Sequence, residues 1–230
     1  MRERLAGLDY RFLDAVDKLD LDRERLVREG LFDERRTPRA FRHRREMPLG
    51  HIGCSMSHRA LYEEIAAKGW RRVIVFEDDV APVEDALPLL PDVLGQLPGD
   101  WELCYLGYWK PAAPTAHARL KRAFYVALSP FRLVPWRPGE AMRLLPRRFS
   151  ANLWRGGRHL CTHAYAVSAS GARKLLEAQT PVAFNADQLL AYLVLRGRLS
   201  AFAAEPKLFE QDFTAGNAPP DGVPASYIAD

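Results

Sequence analysis

Three consecutive carboxylates, Glu77, Asp78 and Asp79, follow four apolar residues, Val73 to Phe76. The apolar run has the length and the β-branched content of a fully buried strand, so the acids stand where that strand leaves the core. Side by side they repel one another. A hard divalent cation relieves the repulsion, because it binds carboxylate oxygens and can in turn neutralise phosphate oxygens. In open α/β sheets, ligands bind outside the carboxyl ends of the strands, where these acids fall. A solvated acidic face is the competing reading, weakened by the buried run directly before it. Phosphotransfer proteins with a nucleophilic aspartate also place acids at a strand end, but the Lys and Ser/Thr partners they need downstream are not found here.

Other residues with chemical potential are dispersed. His163 interrupts an apolar run, "CTHAYAVS" at 161–168, as either a ligand or a packing histidine. Asp187 opens the apolar helix pattern "ADQLLAYLVLRG", where an ordinary N-terminal acid is worth only ~0.3–1 kcal/mol through the helix dipole. Glu210 and Asp212 lie in "FEQDF". The three cysteines, Cys54, Cys104 and Cys161, are far apart and form no CxxC pair. That pattern argues against a disulfide framework or a zinc site and for buried free thiols in a reducing compartment, most simply the cytoplasm.

The elements that must position these groups are legible from periodicity. Residues up to about Leu31 alternate charge and apolar residues at helical spacing, and 33–48 are arginine-rich and read as a loop. His58, Leu61, Tyr62 and Ile65 form the stripe of an amphipathic helix, with Ser55 or Ser57 as cap and Gly69 as terminator. Strands are expected at 73–76, 101–107, 161–168 and 199–204, with helices over 170–178 and 186–197. Helices feeding buried strands indicate an α/β fold in a single domain spanning 1–230, with 213–230 an irregular tail. No apolar run approaches the ~20 residues of a membrane span, and Met1–Leu5 begins no signal-peptide h-region.

In this order and spacing, "GHIGCSMSHRALYEEI", "VIVFEDDV", "LCYLG", "THAYAVSASGARKLLE" and "NADQLL" resemble glycosyltransferase family 25, the lipooligosaccharide galactosyltransferase group that also includes collagen galactosyltransferases. The resemblance covers most of residues 7–212. It implies a GT-A-type, Rossmann-like nucleotide-diphospho-sugar transferase fold and an inverting transfer from a UDP-sugar, galactose first, to a lipopolysaccharide-type or other glycan or glycolipid acceptor. It also implies that the acidic motif holds Mn²⁺ (or Mg²⁺) and the nucleotide-sugar. Carried over residue by residue, Asp79, Glu77 and His163 are the metal ligands. Gly53, Ser57, His58, Glu77, Asp78 and Asn185 contact substrate, and Gly50 belongs to the same glycine turn. Asp187 is the catalytic base, with Glu210 and Asp212 in reserve. His58 has a second reading as a core histidine on the helix stripe. The family's opening strand, with its Asn-Leu-x-x-Arg motif, has no counterpart at Met1–Arg4, so a first strand is expected to be missing. The alternative function is a degenerate member that binds nucleotide-sugar or glycan without turnover.

Charge is unevenly spread. Between Lys110 and Arg158 stand eleven Lys or Arg and one acid, Glu140, although the whole chain carries only +4. Six prolines in that segment argue against continuous regular structure, and it reads as a basic insertion or lid. Its interleaved aromatics are a feature that RNA-binding surfaces and anionic membrane interfaces share. The family resemblance favours phosphorylated glycolipid over nucleic acid and implies a peripheral position at the inner membrane face.

Overall fold

Apolar runs too short to stand alone zip together into one mixed sheet. The computed structural model describes residues 10–42, 46–109 and 113–212. Its strands are β1 (Arg72–Phe76), β2 (Val80–Pro82), β3 (Leu103–Gly107), β4 (Arg147–Arg148), β5 (Leu153–Arg155), β6 (Ala164–Ser168), β7 (Ala201–Ala204) and β8 (Phe209–Gln211). Six of them form a sheet in the order β1-β6-β3-β7-β5-β4, in which only β3 and β7 pair in parallel. Strands β2 and β8 form a separate antiparallel pair. The helices are α1 (Arg23–Arg28), α2 (Leu49–Lys68), α3 (Leu90–Gly95), α4 (Ala116–Leu128), α5 (Pro138–Arg143), α6 (Ala169–Ala178) and α7 (Ala186–Leu195). None of these helices is long and apolar enough to cross a membrane.

The central strands β3 and β6 are buried at every residue, and the two-residue period sorts their side chains between two cores. Leu103, Tyr105, Tyr165 and Val167 join Tyr62 and Ile65 of α2 and Leu189 and Leu193 of α7 on one face. Cys104, Leu106, Ala164 and Ala166 join Val93, Phe202 and Phe209 on the other. Both faces being covered, these strands read in sequence as unbroken apolar runs.

Several expectations need correction. Helix α2 starts at Leu49 behind Pro48, not at the serines. Ser55 and Ser57 lie inside it, and their hydroxyls donate back to the carbonyls of His51 and Gly53 at 2.7 and 2.8 Å, as mid-helix serines commonly do. Gly69 does end it, in the left-handed conformation (φ 65°). The expected first helix is broken into a 3₁₀ turn at Lys18–Asp20 and the six-residue α1, because Asp17 and Asp22 each cap a fresh start. Within the arginine-rich loop, 3₁₀ turns bury Phe41 edge-on to Trp136 and Tyr192.

The basic segment is not wholly an insertion. Between Pro114 and Pro130 there is no proline, and α4 forms there for thirteen residues behind its Thr115 cap. Farther on, β5 pairs with β7 and brings β4 into the main sheet. The expectations about Met1–Arg4 and about the 213–230 tail lie outside the described residues.

Candidate active site

The acidic turn is held from both sides. The Glu77 N–H donates to the His163 carbonyl (3.0 Å), and the Asp212 N–H donates to the Asp79 carbonyl (2.7 Å). Strand β8 lies against the turn because Val80 pairs with Gln211. Three neighbouring acids thereby acquire three different environments.

Glu77 turns inward. Its Oε1 accepts from the Thr162 hydroxyl and from His58 Nε2 at 3.3 Å. His58 Nδ1 lies 2.8 Å from the Tyr165 hydroxyl, which is 3.1 Å from that of Tyr62. Burial by itself would lower the His58 pKa, but hydrogen bonds to Cys54 and Glu77 and their charges outweigh it and raise it to about 10. Burial would raise Glu77, and the His58 contacts overcome that too, leaving it below the usual carboxylate range. The pair is therefore an imidazolium–carboxylate at neutral pH, its imidazole buried and its carboxylate half-buried.

Asp79 is 9% exposed and differently placed. Gln211 Nε2 donates to its Oδ2 at 2.5 Å, while Oδ1 is buried without a partner. Burial raises its pKa, Gln211 opposes, and Glu77 and Asp78 add to the rise. Asp78 is exposed. Both ring nitrogens of His163 are buried without a well-aligned hydrogen bond. Burial lowers its pKa, although the carboxylates of Glu77 and Asp79 and the Phe209 carbonyl beside the ring favour the proton. A neutral imidazole is the form that ligates metals. Gly107, at the end of β3, makes room for that ring. A Cβ there would penetrate the imidazole and come within 2.7 Å of the Phe209 carbonyl.

Asp187, the second residue of α7, is a second carboxyl of this region with an unsatisfied oxygen, Oδ1. Burial raises its pKa, the N–H groups of Cys161 and Gln188 pull it back, and the charge of Glu77 pushes it up again. Cys161 donates from a left-handed backbone (φ 73°), a strained conformation for a residue other than glycine.

The remaining sequence candidates have structural partners. Ser57 Oγ accepts from the Val16 N–H at 2.9 Å, and a Cβ on Gly53 would lie 2.7 Å from the Val16 carbonyl. Both therefore hold the 16–21 segment against α2. Gly50 lies near Lys18. Asn185 caps α7, its Oδ1 accepting from the Ala186 N–H at 2.9 Å. Glu210 is exposed on β8.

The donor set can be tested against a divalent cation. Asp79 Oδ1 and the His163 ring are orphaned buried oxygen and nitrogen donors near each other, a combination that suits Mn²⁺ better than the oxygen-preferring Mg²⁺. Glu77 is already engaged. Among the described residues, the trio whose ligand atoms all lie within 4.8 Å of one another is instead Cys54, His58 and Glu77. Sequence reading missed Thr162, Tyr165 and Gln211. Only Tyr62, four residues after His58 on the same helix stripe, carried a local signal.

Comparison with known proteins identifies a family. The family model described as "Glycosyltransferase family 25 (LPS biosynthesis protein)" matches residues 1–190. The chain is 32% identical over 192 residues to a rat protein named "Probable inactive glycosyltransferase 25 family member 3", covering 75% of this chain and 28% of that one. It is 29% identical over 191 residues to the human "Inactive glycosyltransferase 25 family member 3", with 76% and 27% covered. It is also 28% identical over 180 residues to human "Procollagen galactosyltransferase 2", with 71% and 24% covered. The chain thus spans about a quarter of the length of the curated relatives it matches.

Proposed function

Since the chain belongs to glycosyltransferase family 25, we propose that it is a metal-dependent, inverting transferase with a GT-A-type fold. In this reading it moves a sugar from a UDP-sugar to a hydroxyl of a lipopolysaccharide-type or other glycan acceptor. Galactose is the first candidate, in keeping with the name of one relative. The observation that carries the reading is that three buried polar groups at one end of the sheet lack a partner inside the protein: Asp79 Oδ1, the His163 ring and Asp187 Oδ1. Buried polar groups are otherwise almost always satisfied, so such a cluster is a site awaiting ligands.

In this mechanism Asp79 and His163 hold the cation, which when bound supplies charge neutralisation for the donor diphosphate. Asp187 Oδ1 takes the proton from the acceptor hydroxyl as its oxygen bonds to the anomeric carbon and the carbon–diphosphate bond breaks on the opposite face. The raised pKa of Asp187 brings it nearer to neutrality, where a general base is most effective. His58 and Thr162 fix Glu77, and through it the turn that carries Asp78 and Asp79. Three free cysteines accord with a reducing, cytoplasmic setting.

A second reading, a non-catalytic binder of nucleotide-sugar or glycan, is favoured by the engagement of Glu77 with His58 and by the names of two relatives. Calorimetry of UDP with and without Mn²⁺, followed by a screen of UDP-sugars for turnover, separates the two. The transferase reading expects Mn²⁺-dependent UDP binding that Asp79→Asn abolishes, together with turnover of one donor. Binding without turnover of any donor would establish the second reading, and unchanged UDP affinity in Asp79→Asn would remove the metal assignment.

A further inference from the structure

Helix α4 stands on the surface without a single buried residue, although nine of its thirteen residues are apolar. Tyr125 and Val126 rest against the core, and the opposite face carries Leu120 and Phe124, 72% and 59% exposed. Beyond the helix, Phe131 and Leu133 are 72% and 69% exposed. Water-facing side chains of this size, gathered on one short stretch, mark a surface that is covered in use.

Two clefts flank the helix. One, of about 710 Å³, is lined by Ala123, Val126, Ala127 and Met142, with Arg122 and Arg147 among its walls. The other, of about 370 Å³, shares those two arginines and adds Arg119 and Arg148. None of the four forms an ion pair among the described residues, and no acid lines either cleft. The only acid of the segment, Glu140, is buried and bound to Arg196 at 3.0 Å. Arg148 donates to the Ala151 carbonyl at 3.3 Å at the cleft rim, whereas Arg143 donates to the carbonyls of Gly139 and Leu195, tying α5 to α7, and belongs to the framework.

We propose that this face, α4 with Phe131 and Leu133 and the four-arginine cleft, docks on an anionic phospholipid bilayer. Exposed leucine and phenylalanine enter the headgroup–acyl boundary while the guanidiniums meet lipid phosphates. Charge complementarity selects the partner: a surface with four unpaired arginines and no exposed acid attracts a dense sheet of negative charge. Nucleic acid also carries phosphates, and Phe124, Phe131 and the cleft residue Trp154 offer rings, but the aliphatic Leu120, Leu133 and Met142 between them suit hydrocarbon rather than a stack of bases. The proposal is independent of the transfer chemistry and can fail without it.

The test is co-sedimentation of the full chain with vesicles of phosphatidylcholine alone and of phosphatidylcholine mixed with phosphatidylglycerol. Binding is expected only to the mixed vesicles and should weaken with salt. The Leu120→Glu/Phe124→Glu double variant and a variant with Arg119, Arg122, Arg147 and Arg148 changed to Gln should each lose about tenfold or more. Both sets of positions are exposed or line open clefts, and thermal melting verifies that the variants fold. Replacing the four arginines by Lys should retain most of the binding. Equal binding to neutral vesicles, unaltered binding by either variant, or stronger retention by a single-stranded RNA than by the mixed vesicles would overturn the proposal. So would loss of UDP affinity in the Arg→Gln variant with vesicle binding intact, which would make the clefts part of the donor site.

Discussion

Replacing His58 by Gln should be among the most damaging single changes outside the transfer chemistry itself, and the damage should depend on pH. The side chain is buried, its ring bridges Glu77 and Tyr165, and its pKa is raised to about 10. Taking 6.5 for the unfolded chain, the native state binds the extra proton between pH 6.5 and 10. The contribution is therefore fully present below about pH 6.5 and disappears as pH rises through about 10. A tenfold gain in proton affinity is worth about 1.4 kcal/mol, so the rise sets a ceiling of about 5 kcal/mol that Cys54 and Glu77 share; removing one partner of a buried ion pair costs ~3–5 kcal/mol. Glutamine can keep one hydrogen bond but not the charge, so the half-buried Glu77 would lose its countercharge and keep the Thr162 hydroxyl. Guanidinium unfolding followed by tryptophan fluorescence, in EDTA to exclude metal, should show the wild type losing about 3 kcal/mol between pH 6 and pH 9. His58→Gln should be about 3–5 kcal/mol less stable at pH 6 and nearly flat over the same range. A variant within about 1 kcal/mol of wild type at pH 6 that keeps the wild-type slope would refute the buried-pair reasoning.

Further tests address neighbouring groups. Asp187→Asn removes a buried carboxylate whose pKa is raised by burial, so at pH 7 it should raise Tm while lowering kcat by ~10²-fold or more with UDP affinity unchanged; near-normal turnover would move the base role to Glu210 or Asp212, and a lowered Tm would refute the burial argument. Gly107→Ala drives a methyl into His163 and the Phe209 carbonyl and should cost about 1–3 kcal/mol by denaturant titration while abolishing the Mn²⁺ dependence of UDP binding; retained Mn²⁺ dependence would separate His163 from the metal. His159, wedged between Tyr105 and Tyr108, is held neutral by burial, with its pKa lowered to about 4. The unfolded chain takes up that proton first, so stability should fall by about 3 kcal/mol between pH 6.5 and pH 4. Wild-type stability should accordingly peak near pH 6.5, and His159→Phe should flatten only the acid limb.

What sequence determined here is what local pattern can carry. The apolar run of β3 announced a buried strand, the His58–Ile65 stripe announced α2, and Gly69 marked its end, because burial period and glycine's left-handed freedom are properties of a few consecutive residues. The run Val73–Phe76 announced a fully buried strand too, but β1 lies at the sheet edge with only Val75 buried. The acidic turn after β1 and the ordered motif blocks made the family legible. What three adjacent carboxylates would each do was not encoded locally. Glu77 became a structural anion only because α2 brings His58, and the approach to β6 brings Thr162, to the same point; Asp79 kept a free oxygen because Gln211, 132 residues away, occupies the other. The serines expected to cap α2 were absorbed into it once Pro48 began the helix well before them. The proline count hid both α4 and the two strands beyond it, since a composition averages over a segment whose prolines are unevenly placed. Side-chain partnership across the sheet depends on which elements pack together, and a carboxylate's role follows from its partners; only the tertiary structure brings them into contact.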